Sequence, residues 1–456
     1  MPHPTRPPIV RTVRHTLLSV RDLLLTAGPF VLVALALLAL AYWVLDPTPP
    51  SRMVLATGGP RSAYAAFGER YAQLLKRHGI AVELRATEGA VENLALLRTA
   101  GSGVDVAFVQ GGTGDAPRSD EAPGRGLVSL GSLFQEPVWL FYREDAAQRL
   151  LKTGTLTRLT QLPGWRLSIG APGSAVPRLM SRILEANALT PDSLSLSRQE
   201  ETPAVVDLLE GRLDALVLAT APEALMVQML LRTPGIRLFD FRQAEAYARR
   251  FDFLTPVVLP RGIVDLAQDL PPQDAHLVAP TAMLVARGGT HPALEQLLVQ
   301  AAHEIHGGPG WFQHKGDYPN TRNSEFPIAA EADRYYRNGQ PVLQRYLPFW
   351  LSNLIDRMWV VLLSIVAVLI PLSRVVPPLY QFRIRSRVFR WYGQLRAVEN
   401  AVGQRPAEEL SRELDEIEAR VEQVTVPLSY ADELYALRSH IEMVRGRVRA
   451  GSVPSA

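Results

Sequence analysis

The sequence predicts an α/β fold of two lobes around a cleft, with an apolar helix on either side of the lobed region and a helical hairpin after it. Three observations lead there. Strand and helix patterns alternate from about Arg52 and restart at Trp165, two uncharged runs bracket this region, and heptads take over beyond Arg374. A chain of 456 residues is also too long for one ordinary core.

The first uncharged run, Gly28 to Leu45, has 18 residues, about the shortest length that crosses a bilayer as a helix. Ala39 and Ala41 offer the A-x-A pattern of a cleaved signal. The segment before the run is long, however, and cleavage after Ala41 would strand "YWVL" on the mature end, so an uncleaved anchor is expected. Pro47, Pro49 and Pro50 then make a stiff spacer. The second run, Met358 to Leu372, has only 15 residues and spans a bilayer only with an interfacial start that includes Leu354, Ile355, Asp356 and Arg357. Arg6, Arg11, Arg14 and Arg21 precede the first run. Arg374, Arg383, Arg385, Arg387, Arg390 and Arg396 follow the second, so both termini are expected on the cytoplasmic side of a bacterial inner membrane. The expected organisation is a cytoplasmic segment (1–27), a span (28–45), a linker (46–51), the lobed domain outside the membrane (52–346), a span with interfacial start (347–373) and cytoplasmic helices (374–456).

Within the lobed region "RMVLAT", "AVELRAT" and "VDVAFVQ" read as strands, with helices from about Ser62 to His78 and at "AVENLALLRTA" between them. This βαβαβ order implies a parallel sheet. A second lobe, about 165–255, follows from "WRLSIGA", a helix from about Val176 to Asn187, the helix "TPAVVDLLEGR" and the strand "LDALVLAT". "TPVVLP" and "PTAMLVAR" then read as strands crossing back to the first lobe (about 52–164 and 256–346), with "HPALEQLLVQAAHEIH" a helix packed on it. In the tail, Leu410, Leu414, Ile417, Val421 and Val424 form one heptad seam and Leu434, Leu437, Ile441, Val444 and Val448 another. Pro427 and Ser429 separate them, which favours an antiparallel hairpin, coiled-coil-like, packed on itself or docking a partner. The stretch from Gln381 mixes arginines with Phe382, Val388, Phe389, Trp391 and Leu395, as a helix lying on anionic lipid would; the alternative is a charged helix leaving the bilayer.

Several function classes are excluded. The net charge is +3 and lysine supplies only Lys76, Lys152 and Lys315 of the 48 basic residues, a composition unlike a nucleic-acid surface. No cysteine is present, so thiol catalysis and Cys-ligated metals fall away. His303, His306 and His314 do not form a zinc motif, and no G-x-S-x-G elbow occurs. Asp115, Asp120 and Glu121 lie in a turn-rich loop and read as solvated. No cofactor, metal or enzyme activity is expected.

What remains is a set of loops. Thr57, Gly58 and Gly59 follow a strand, and Ser62 opens the next helix, a layout that offers free N–H groups to an anion. "TEGAVENL", "QGGTGD" and "GAPGSAVPRLM" supply three more loops that would meet in one cleft. In order and spacing, "TGG…AYAAFG", "T-x-G-A-V-E-N-L", "VDVAFVQ", "GAPGS", "LLEGRLDAL" and "VVLPRGI" resemble the TAXI family of solute-binding proteins from TRAP transporters, over roughly 52–308. "GQPVLQRYLPFWL" and the membrane segment after it resemble a membrane-anchored branch of that family.

The resemblance implies a periplasmic-binding-protein fold of type II-like form that closes on a small carboxylate, an organic anion. Thr57, Gly58, Gly59, Asn93, Gln110, Gly173 and Ser174 match the family's cleft motifs. The chain departs from them at Pro60 and Arg61, at Ala90, and at Ala175 and Val176. Arg61 is either a guanidinium partner for the carboxylate or a solvated surface arginine. The expected partners are the solute, membrane lipid and a TRAP permease. The alternative is a sensor or scaffold signalling through the membrane to a partner of the cytoplasmic hairpin.

Overall fold

The computed structural model describes residues 27–44, 48–114, 126–423 and 431–450. Arg6, Arg11, Arg14 and Arg21, Pro47, Asp115, Asp120, Glu121, Val424, Pro427 and Ser429 lie outside the described residues. The chain divides into two units, residues 47–354 and the remainder. Helix α1 (Ala27–Val44) belongs to the latter.

In the first unit, β1 (Arg52–Ala56), α2 (Ala63–Lys76), β2 (Ala81–Arg85), α3 (Ala90–Arg98) and β3 (Val106–Gln110) form the βαβαβ start. β1 pairs in parallel with β2 and β3. Ser62 caps α2, its side chain accepting from the N–H of Ala65, and α2 buries Tyr64, Gly68, Tyr71 and Leu75 on one face. Two strands the alternation did not reveal come next, β4 (Leu127–Gln135) and β5 (Val138–Arg143). They are buried along almost their whole length, so they lack the two-residue polar alternation that marks a half-exposed strand.

The second lobe holds α4 (Glu144–Leu151), β6 (Arg166–Ser168), α5 (Val176–Ala186), β7 (Ser195–Ser197), α6 (Glu201–Leu209), β8 (Ala215–Ala219), α7 (Leu225–Arg232), β9 (Ile236–Leu238) and α8 (Ala244–Arg250). Its sheet has the order β7-β6-β8-β5-β9. α5 buries Val176, Leu179, Met180, Ile183 and Leu184, the three-and-four spacing of a helix lying on a sheet. β10 (Leu254–Leu259), β11 (Ala275–Arg287), α9 (Pro292–His306) and α10 (Ala330–Asn338) complete the unit. The first sheet runs β10-β11-β3-β1-β2, with β4 also paired to β11.

The lobe limits differ from those expected. β5 is a strand of the second sheet, so the chain crosses at Glu136 and Pro137, well before Trp165. The return also comes later than "TPVVLP". Leu254, Val257 and Leu259 of β10 pack in the second lobe's core, as do Leu277, Val278 and Ala279 of β11. From Ala282 onward β11 enters the first lobe, where Ala282, Leu284 and Ala286 face one core cluster and Met283 and Val285 the other. The two crossings meet where the Glu136 N–H donates to the Pro280 carbonyl at 2.9 Å. Glu136 thus sits at the junction of the lobes.

In the other unit, α11 (Phe349–Asn400), α12 (Ala407–Glu422) and α13 (Ala431–Ala450) share a core. Leu410, Leu414, Ile417 and Val421 meet Leu437, Ile441, Val444 and Val448, the residues of the two heptad seams. Ile384, Val388, Leu395 and Val398 of α11 pack into the same core, so the expected interfacial stretch is a third bundle helix, with Phe382 and Phe389 left exposed. Arg445 pairs with Asp415 and Glu418, Arg385 with Glu433, and Arg447 with Glu399.

The expectation of two membrane helices is not met as stated. Among the described residues one helix, α1, is long and apolar enough to cross a membrane, with mean hydropathy 2.2. The run Met358–Leu372 qualifies only jointly with Arg374–Asn400, across a bend of 42°. Pro371, Pro377 and Pro378 fall at this bend, where each removes a backbone N–H from the helix ladder.

The candidate ligand cleft between the lobes

A cavity of about 440 Å³ lies between the lobes. The first lobe lines it with Gly58, Gly59, Ser62, Tyr64, Thr87, Glu88, Glu92 and Gln110, the junction with Glu136, and the second lobe with Ser168, Ser174, Gln199, Glu200, Glu201 and Thr220. Its size suits a small metabolite.

Of the residues expected in the site, Gly58, Gly59, Ser62, Gln110 and Ser174 line this cavity. Gln110 ends β3, is 3% exposed, and its Nε2 has no hydrogen-bond partner. A buried amide left unpaired in this way points to a missing acceptor. Ser174 donates its hydroxyl to the Ala171 carbonyl at 2.8 Å, and Ser62 is engaged as the cap of α2.

Thr57 and Asn93 stand behind the cavity. The Asn93 Nδ2 donates to the carbonyls of Thr57 at 2.6 Å and Phe108 at 2.9 Å, and its Oδ1 accepts from the Thr87 hydroxyl at 2.7 Å. The Thr57 N–H donates to the Arg85 carbonyl at 2.9 Å. These groups tie together the ends of β1, β2 and β3, and both N–H donors of the Asn93 amide are taken up in doing so. Arg61 has a left-handed backbone (φ 69°) and faces a different cavity, behind α2.

Gly173 closes the cleft from the second lobe. Its N–H donates to Glu88 Oε2 at 2.7 Å, and its carbonyl accepts from the N–H groups of Val91 and Glu92, both at 3.1 Å. The first turn of α3, which would otherwise offer these donors to an anion, is therefore capped by the opposite lobe. The approach is close: a Cβ on Gly89, whose φ is 138°, would lie 3.2 Å from Ser174 Cα. Arg178 makes a second bridge, donating to the Thr113 carbonyl at 3.1 Å.

The residues the sequence did not disclose are acidic. Glu88, Glu92, Glu136, Glu200 and Glu201 line the cavity, and among the described residues no Lys, Arg or His does. Glu136 is 2% exposed and accepts a hydrogen bond from the Tyr64 hydroxyl at 2.9 Å. Burial pushes its carboxyl up to about 8, and only the Tyr64 bond opposes this. Burial raises Glu201 as well. The one signal for Glu136 in the chain is the Glu-Pro pair that interrupts two apolar strands.

A family model described as the NMT1-like family matches residues 55–337, more than half of the chain. The chain belongs to the NMT1-like family. The match runs from β1 through α10, so it takes in both lobes and every residue lining the cavity. Solved structures similar to this NMT1-like protein include one described as a periplasmic transporter (12% identity, covering 66% of this chain and 99% of that one, TM-score 0.39). Two others are the alkanesulfonate-binding protein SsuA from Xanthomonas axonopodis pv. citri bound to MOPS (14%, 57% and 81%, TM-score 0.31) and a protein of Bordetella bronchiseptica RB50 (18%, 56% and 70%, TM-score 0.37).

Proposed function

We propose that the chain is a membrane-anchored extracytoplasmic receptor, of the TAXI type that serves TRAP transporters, whose lobes close on a small polar solute. The observation that carries this is the hydrogen-bonded contact of the Gly173 and Glu88 loops over a cavity in which Gln110 holds an unpaired donor. In this reading α1 anchors the chain, the α11 apolar run spans beside it, both termini are cytoplasmic, and a TRAP permease takes the solute.

The carboxylate implied by the sequence resemblance meets no cationic side chain among the described residues of the lining. The first turns of α2, α5 and α6 line the cavity and contribute about half a positive charge each. Against them stand five glutamates, of which Glu88 and Glu92 already accept backbone hydrogen bonds. The balance favours a solute carrying an ammonium or similar N–H donors, because burying such a cation beside desolvated carboxylates lessens the burial cost of both.

The test is a thermal-shift and calorimetry series on the full chain in detergent with benzylamine, benzyl alcohol and benzoate, followed by a broad metabolite library. Benzylamine should bind best. Its affinity should rise between pH 6 and 8, since pairing with the cation requires the buried Glu136, faced by Tyr64 and Glu201, to give up its proton. A preference for benzoate that persists with Arg61→Ala and Arg70→Ala, both in the lining of the other cavity, would overturn the cation reading and leave the receptor intact. Failure of the whole library would overturn the receptor.

A second reading, a sensor that signals inward, is favoured by the three-helix core of α11, α12 and α13, which solute delivery by itself does not require.

A further inference from the structure

We propose that the cavity behind α2, separate from the cleft, is a second binding site, and that it takes a small aromatic carboxylate. This goes beyond the receptor function and does not depend on which solute the cleft holds.

The cavity has a volume of about 590 Å³ and is lined from both lobes and from the loop after α9. Its walls are aromatic: Phe67 and Phe134 on one side, Trp311 and Phe312 on the other. The Phe67 and Phe134 rings lie 4.8 Å apart. Both pack on the imidazole of His306, at 4.6 and 5.2 Å. His306 is 4% exposed, lines the cavity, and its Nε2 has no hydrogen-bond partner. A buried ring nitrogen without a partner beside open space is the same sign that Gln110 gives in the cleft.

Two guanidinium groups, Arg61 and Arg70, line the same cavity and are exposed. Arg70 donates to the Ile305 carbonyl at 3.3 Å and lies 5.8 Å from the centre of the Phe67 ring. Glu223 is the one acid among the described residues of the lining, so the charge there is positive, opposite in sign to the cleft. Aromatic walls with a cationic mouth fit a flat apolar ring that carries one carboxylate. The ring would lie between the phenylalanines and Trp311, and the carboxylate would meet Arg61 and Arg70. Arg61 therefore has the task the sequence suggested for it, in a different place.

The test uses the full chain in detergent with 1-naphthoate as probe and 1-naphthylmethylamine as its cationic counterpart, read by calorimetry and by tryptophan fluorescence. The unaltered chain should bind 1-naphthoate saturably and prefer it to the amine. Replacing both arginines (Arg61→Ala with Arg70→Ala) should weaken 1-naphthoate at least tenfold. Filling the cavity from the exposed face of α2, with Ala66→Trp, should do the same without touching a charge. Both changes are at exposed positions, so unaltered melting temperatures would show that the fold survives. No saturable binding by the unaltered chain, or equal affinity in all three proteins, would overturn the proposal.

Discussion

Asn93 belongs to a motif that resembles a solute site, and its hydrogen bonds give it a structural task. Its place in the first turns of α3 suits a residue that orients a solute, yet its amide is consumed by the Thr57 and Phe108 carbonyls and the Thr87 hydroxyl. Asn93→Ala should therefore act on stability, costing about 1–3 kcal/mol because buried carbonyls lose their donors. Denaturant titration of the full chain would show the loss. Binding that falls while stability holds would return Asn93 to the solute. Glu136 is the converse case, a residue with no motif that the fold places at the junction of both crossings and in the cleft wall. Apart from the proline that follows it, nothing local in the chain distinguishes it from a loop glutamate.

In the proposed function, closure rests on the two loops at the starts of α3 and α5, which meet across the cleft. Gly173 is required because a Cβ there would fall 2.7 Å from Glu88 Cβ, closer than side chains approach. Gly173→Val should hold the lobes apart, lowering solute affinity roughly tenfold or more through the smaller closed population. The melting temperature without solute should barely change. Calorimetry with the best ligand of the cleft screen checks this, and unchanged affinity would mean that the loop contact is not part of closure. β11 is the other decisive element. A strand of 13 residues that starts in one core and finishes in the other couples the lobes through its backbone.

For the whole molecule, the proposed topology, which rests on the arginines that flank each apolar run, puts the N-terminal and C-terminal segments together in the cytoplasm. Alkaline phosphatase fused after Asp46 should be active and after Ala456 inactive, because the enzyme folds only outside. Activity at both would mean that the apolar part of α11 does not span, an outcome its 15-residue length makes a real test. The three-helix core beyond it should form in either case, since its seam closes among α11, α12 and α13.

The sequence by itself determined the parts that depend on local pattern. The parallel βαβαβ start, the amphipathic faces of α2 and α5, the heptad seams and the apolar run of α1 all follow from residue spacing along one element, and the glycine loops follow from backbone freedom at a turn. Tertiary structure alone decided the rest. Where the chain crosses between lobes depends on which sheet accepts β5 and β10, and both are too uniformly buried or too short to announce a partner. The lining of each cavity depends on residues distant in the chain that share no spacing rule: Glu136 and Glu201 in one, Arg61, Arg70 and the uncharged His306 in the other. Charge acts through space, and only the folded chain brings these groups within reach of one solute.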